Sequence, residues 1–182
     1  MDTSHKEAPE VLASEDVFQG RVFTVSVDTV RENGRENRRD VVRHAGSAAI
    51  VAVFDDGTVG LVRQYRHPAV KYLLEIPAGS RDEFEPPEEC AARELEEELG
   101  VVAGSLEKLT EFFVSPGFCA EKMWVYLATD LKETAQRPEE DEDLEIVRLS
   151  FERAFEMIDA NEIEDAKTII GLQFAAARLK MK

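Results

Sequence analysis

Cysteine is scarce in this chain. Cys90 and Cys119 are its only two thiols and they form no CxxC pair, too few for a disulfide framework, so a reducing compartment is the expectation. Basic residues are also few: 22 Lys and Arg stand against 38 Asp and Glu, a formal net charge of −16. That balance excludes non-specific binding to nucleic acid or to anionic lipid, both of which attract basic patches. Cations, or anions bridged by cations, are the partners it favours. Long apolar runs are missing as well. No stretch approaches a transmembrane span, and the polar start MDTSHKEAPE lacks the apolar core of a signal peptide, so a cytoplasmic location without a membrane is expected. Internal repeats are absent, and the one biased segment is PEEDEDLE, from Pro138 to Glu145.

What remains is an ordinary globular composition, 43% hydrophobic over 182 residues, enough for one domain with a real core and a small appendage. Residues up to about 15 read as polar and loose. From Val22 the pattern alternates, predicting a strand with Phe23, Val25 and Val27 inward and Thr24, Ser26 and Asp28 outward. Asn33-Gly34 suits a turn with positive φ before the return run DVVRHAG, giving an N-terminal antiparallel β-hairpin unit. SAAIVAVF and VGLVRQYR flank a second turn at Asp56-Gly57. YLLEI, KLTEFFVS, MWVYLATDL and EIVRLSF read as further strands, while PPEECAARELEEELG, FERAFEMIDA and DAKTIIGLQFAAARLK carry helical periodicity. Strands and helices mix without regular βαβ alternation, so the fold class is α/β in the broad sense, either α+β or a mixed α/β/α sandwich.

The segment from Asp82 to Glu98 holds nine carboxylates and one arginine, Arg93, yet its start and stop signals predict a helix over about Pro87 to Leu99. Proline is tolerated in the first turn, Glu88 and Glu89 sit where the helix dipole favours negative charge, and Gly100 suits the C-terminal cap. At about 100° per residue from Ala91, Leu95, Leu99 and Ala92 fall on one arc, expected to face the core. Glu94, Glu97 and Glu98 cluster on a neighbouring face at i, i+3 and i+4 spacing, where like charges cost a few tenths of a kcal/mol per pair. Charge alone reads as a solvated face. A hard divalent cation, Mg²⁺ or Mn²⁺, turns the same cost into a binding site.

The spacing decides between those readings. Gly79, five residues, Glu85, seven residues, Arg93-Glu94-Leu95, one residue, Glu97-Glu98, one residue, Gly100-Val101 resembles the Nudix box at every defined position. The resemblance implies a loop-helix-loop that holds divalent metal, and hydrolysis of a nucleoside diphosphate linked to another moiety. Carried onto this chain, Glu94, Glu97 and Glu98 are metal ligands with the carbonyl of Ala78, Arg93 orients the glutamates, and Glu85 holds the loop.

Features outside the box resemble the ADP-ribose pyrophosphatase subfamily. Pro116 stands 16 residues after Gly100 within SPGFCAE, which ends at Glu121; the resemblance places both at the substrate. In VRQYR, Arg63 and Arg66 are rare cations suited to diphosphate, and because a strand alternates, only one needs to face the site; Arg66 is favoured. The acidic run matches a loop that supplies a catalytic glutamate, Glu140 with Glu142 as rival, a mobile carboxylate that approaches the nucleophilic water after substrate has bound. Asp165 reads as an N-cap.

The resemblance further implies a homodimer that exchanges N-terminal strands. Residues 1–45 would then dimerise and line the substrate, with Phe18 or Phe23 on the base and Arg39 reaching in, and 46–182 would form the Nudix hydrolase domain. The expected reaction is Mg²⁺-dependent hydrolysis of ADP-ribose to AMP and ribose 5-phosphate. GDP-mannose or broader nucleotide-sugar hydrolysis is the runner-up. A non-catalytic ADP-ribose-binding module ranks below both, because every box carboxylate survives.

Overall fold

The computed structural model describes residues 8–137 and 143–180, and these divide into two compact units. The first comprises the chain up to Ala45 together with Phe113–Lys122. Its framework is a three-stranded antiparallel sheet of β1 (Glu10–Gln19), β2 (Phe23–Glu32) and β3 (Arg35–His44), in that order. Asn33 and Gly34 both take positive φ in the β2–β3 turn, as the sequence predicts. The 113–122 segment joins through β3: the Val42 N–H donates to the Phe118 carbonyl at 2.8 Å, and the Ala120 N–H to the Val42 carbonyl at 2.9 Å.

Two expectations fail in this unit. The first strand begins at Glu10, inside the stretch read as loose, because polar residues there find partners only across the sheet. The Ser14 hydroxyl donates to Asp28 at 2.6 Å, and the Ser26 hydroxyl to Asp16 at 2.7 Å. The faces of β2 are also reversed. Ser26, Asp28 and Val30 are buried while Phe23 is exposed. A buried carboxylate needs hydrogen bonds and a counter-charge. Asp28 has both, from Ser14 and from Arg43 Nη2 at 2.6 Å, and the Ser14 hydroxyl leads in holding its carboxyl below the usual value.

The second unit, Gly46–Phe112 with Met123–Lys182, is the expected sandwich. Its mixed sheet runs β10 (Glu145–Ser150), β5 (Thr58–Arg66), β4 (Ser47–Val53), β9 (Lys122–Glu133) and β8 (Val101–Phe113). β6 (Lys71–Glu75) pairs with β5, and β7 (Ala78–Ser80) with β4. β4 and β9 are parallel; the pairings of β4 with β5 and β7, and of β5 with β6 and β10, are antiparallel. β4 is buried on both faces, and its side chains divide by parity. Ala48, Ile50 and Ala52 pack with Cys90, Ala91, Leu95 and Leu99 of helix α1 (Pro87–Leu99). Ala49 and Val51 pack with Phe151 and Ala154 of α2 (Phe151–Asp159) and with Leu172 and Ala175 of α3 (Ala166–Leu179).

The helix ends follow local chemistry. Pro87 opens α1, and Gly100 closes it with φ 63° and its N–H on the Glu96 carbonyl at 2.9 Å. Asp165 caps α3 by accepting from the Thr168 N–H at 2.9 Å. The Thr168 hydroxyl accepts from the Ile76 N–H at 2.8 Å, so this cap also ties α3 to the end of β6.

The buried arc of α1 is rotated from the expected one. Ala92 is exposed, while Glu94 and Glu98 are buried beside Ala91, Leu95 and Leu99. Periodicity ranks side chains by polarity, but here the backbone of β7 packs against the acidic side of the helix and supplies it with partners. Leu95→Ala should therefore cost roughly 2–5 kcal/mol in urea denaturation, whereas Ala92→Ser should stay within about 0.5 kcal/mol; equal costs would contradict the rotated arc.

Candidate active site

One guanidinium organises the acidic helix. Arg93 meets Glu85 with a fork, Nε to Oε1 at 3.0 Å and Nη2 to Oε2 at 3.1 Å. Its Nη1 reaches Glu94 at 2.6 Å and Glu97 at 3.0 Å, and Nη2 also reaches the Ser80 carbonyl at 3.2 Å. Three carboxylates are thus compensated by one cation, whose own pKa is driven up, chiefly by Glu85. Reciprocally, Arg93 holds the Glu85 carboxyl below its usual range. Glu85 also accepts from the Asp82 N–H at 3.0 Å, which closes the loop ahead of the helix. Cys90 lies beneath this group, and burial, then Glu85 and Glu94, push its thiol up to about 12, so it stays protonated and unreactive at neutral pH.

Glu94 and Glu98 face β7. Glu98 Oε2 accepts from the Ala78 N–H at 3.1 Å. A Cβ on residue 79 would lie 1.9 Å from Glu94 Oε1, so any side chain at Gly79 would displace the Glu94 carboxylate. Among the described residues no three acidic, histidine or cysteine side chains converge as a ready metal cluster. Arg93 draws Glu94 and Glu97 to itself, and the Ala78 amide draws Glu98. In kind the donors nevertheless fit a hard divalent cation: carboxylate oxygens within one helix turn, against a glycine-lined backbone that offers carbonyl oxygens.

Arg66 ends β5 on the strand face that looks toward α1. Its Nε and Nη2 bind Glu75 Oε1 and Oε2 at 2.8 and 2.7 Å. Its pKa is raised first by Glu75, and with smaller contributions by Glu98 and Asp165, so its charge is felt at the box. Arg63 lies on the opposite strand face. It pairs with Glu145 at 3.3 Å and lines a cavity of about 430 Å³ with Tyr72, Asp143 and Glu145. Strand parity thus separates the two arginines.

Phe18, Phe23, Arg39, Pro116 and Glu121 lie in the first unit. Phe18 and Phe23 are exposed with ring centroids 6.0 Å apart, and Arg39 pairs with Glu32 at 3.1 Å. Pro116 occupies the turn in which the Ser115 carbonyl accepts from the Cys119 N–H at 2.9 Å, and the Glu121 carbonyl accepts from the Val114 N–H at 3.1 Å. Glu140 and Glu142 fall outside the described residues.

Sequence reasoning missed Glu75. It is 1% exposed, and its carboxylate binds Arg66 and also Lys167 Nζ. The signal was present as a lone acid inside the apolar run LLEIPAG, since such a residue must find a cation once folded.

Comparison with known proteins agrees with the geometry. Residues 43–170 match the family model for the NUDIX domain. The chain is 39% identical over 168 residues to an ADP-ribose pyrophosphatase of Bacillus subtilis (strain 168), covering 91% of each. It is 37% identical over 176 residues to a methanol dehydrogenase activator of Bacillus methanolicus, covering 95% of each. A crystal structure of an ADP compounds hydrolase superposes with a TM-score of 0.83 at 27% identity, over 96% of this chain and 95% of that one.

Two measurements test the site. Gly79→Ala should leave the protein folded by circular dichroism but weaken Mn²⁺ binding by about 10- to 100-fold, the scale for disturbing a ligand's support; unchanged affinity would contradict the close approach. The second concerns acid. Burial raises the Glu75 carboxyl, the Arg66 hydrogen bonds and the Lys167 charge lower it, and the lowering prevails. A folded value below the unfolded one, about 4.3, stabilises the fold above that pH, and the contribution is lost as pH falls through the folded value. Urea midpoints taken from pH 7 down to 3 should fall less steeply in Glu75→Gln than in wild type.

Proposed function

The chain belongs to the NUDIX domain family, and on that premise we propose that it hydrolyses the diphosphate of ADP-ribose, giving AMP and ribose 5-phosphate. The observation that carries this reading is the placement of Glu94, Glu97 and Glu98 on one turn of a helix braced by Arg93 and Glu85. The carboxylates would hold a cation, and the Arg66 guanidinium suits the phosphates of a nucleoside diphosphate. The name of the Bacillus subtilis relative supports ADP-ribose as the substrate.

Glu94, Glu97 and Glu98, with the carbonyl of Ala78, would hold Mg²⁺, or Mn²⁺ in its place. Bound there, such an ion neutralises the diphosphate and acidifies a water. The chain's own residues do the rest. Arg93 keeps Glu94 and Glu97 in one orientation. Arg66 takes a phosphate oxygen. Water adds its oxygen to phosphorus, the bridging P–O bond breaks, and the proton released passes to a loop carboxylate, Glu140 or its rival Glu142.

In the same reading the protein is a cytoplasmic homodimer that exchanges N-terminal strands, with residues 1–45 lining the partner's substrate through Phe18 or Phe23 and Arg39, and with Pro116 and Glu121 as further substrate-binding residues. The exposure of Val11, Val17, Phe18 and Phe23 on the first unit supports it.

ADP-ribose, ADP-glucose, GDP-mannose, NADH and diadenosine polyphosphates with Mg²⁺ should be compared by released phosphate monoester, and ADP-ribose should give the highest kcat/KM; preference for GDP-mannose would reassign the substrate. Glu98→Gln should lower turnover by orders of magnitude with the fold retained, and near-normal rates would remove it from the ligand set. Glu140→Gln should reduce kcat by about 10²–10⁴-fold, the range of a general base, with little change in substrate affinity. A larger loss in Glu142→Gln would transfer the role.

A further inference from the structure

Glu75 cannot act as a surface group. Its side chain is 2% exposed, against 39% for Arg66, so whatever it does to a ligand it does through a neighbour. The neighbour is held along one edge. Nε and one Nη2 hydrogen of Arg66 are spent on the two oxygens of Glu75. Of the five N–H donors in the plane of a guanidinium, three remain, and one Nη1 hydrogen with the second Nη2 hydrogen forms a second edge that does not face Glu75. That edge has the fork geometry that binds two phosphate oxygens at once.

The clamp is itself braced from α3. Lys167, in the first turn, binds the same carboxylate oxygen of Glu75 and lies 3.1 Å from Asp165, the helix cap. The next residue after Glu75 is tied to the same turn by the Ile76 N–H bond to Thr168. Strand and helix are therefore joined at two consecutive residues, one by charge and one by a neutral hydrogen bond. Packing does not require the charges, because apolar replacements of a buried ion pair are often neutral or stabilising. What the charges add is a single orientation of the arginine, and an arginine fixed beforehand loses less side-chain entropy when it meets an anion.

We propose that Glu75 is a positioning residue that clamps one edge of Arg66 so that its other edge meets the diphosphate of the substrate. This rests on the reading that the site takes a nucleoside diphosphate, and it assigns to the C-terminal helix, through Lys167, a part in ligand affinity.

A binding cycle with ADP in magnesium buffer, read by titration calorimetry, tests it without turnover. Glu75→Gln should raise the Kd for ADP about tenfold in an otherwise wild-type chain, yet less than about twofold in an Arg66→Ala background, since a residue acting through another loses its effect when that other is gone. The charge-balanced pair Glu75→Gln with Lys167→Met should keep the wild-type melting temperature within a few degrees and show the same loss of ADP affinity, which decides the matter even where Glu75→Gln alone fails to fold. An equal loss with and without Arg66, or no loss in the charge-balanced pair, would overturn the positioning role. The wild type is assayed with ADP-ribose in parallel. Absence of turnover beside an intact binding cycle would overturn the reaction proposed above and still support the clamp.

Discussion

The structure of the site depends on the Arg93 guanidinium. It sits among Glu85, Glu94 and Glu97, and it is the lone cation between Asp82 and Glu98. Without it the helix would carry like charges at i and i+3 spacing with no compensation, and the loop before the helix would lose its anchor at Glu85. Because the fork to Glu85 spans eight residues of chain, the arginine couples loop to helix as well as charge to charge. The carboxylates are consequently held along one side of the helix with their charge compensated.

The sheet provides what the arginine cannot. β4 is buried on both faces, and the parity of its residues directs Ala48, Ile50 and Ala52 to α1 and Ala49 and Val51 to α2 and α3. β7 pairs with this same strand, with Gly79 opposite Ala48. The strand buried on both faces therefore carries the backbone against which Glu94 and Glu98 rest. Strand parity acts again in β5, where Arg63 and Arg66 fall on opposite faces. Of the two, Arg66 gains a buried carboxylate partner, and Arg63 an exposed one.

Two buried carboxylates, one in each unit, follow one rule: hydrogen bonds and a cation match the charge. Asp28 with Ser14 and Arg43 holds the N-terminal sheet, and Glu75 with Arg66 and Lys167 joins sheet to helix. Both were read wrongly or overlooked in the sequence for the same reason. Alternation assigns inside and outside by hydrophobicity, and it has no means of seeing that a distant arginine or serine will satisfy a polar side chain. The start of β1 is a case of this too, since Ser14 and Asp16 look like solvent-facing residues until Asp28 and Ser26 lie across from them.

Legible in the order of residues were the extent of α1 and its caps, the turns at Asn33-Gly34 and Asp56-Gly57, the Asp165 cap, the mixed sandwich and the spacing that marks the box. These are local properties, set by proline and glycine conformations, by capping chemistry and by periodicities of 2 and 3.6 residues. Tertiary structure alone decided that α1 turns Glu94 and Glu98 inward and leaves Ala92 in solvent, that β2 buries its serine and aspartate, and that Glu75 clamps Arg66. Each of those outcomes depends on groups far apart in the chain, such as Ala78 with Glu98 or Glu75 with Lys167. The energy of a charge depends on which partners the fold brings to it, and the order of residues does not state those partners.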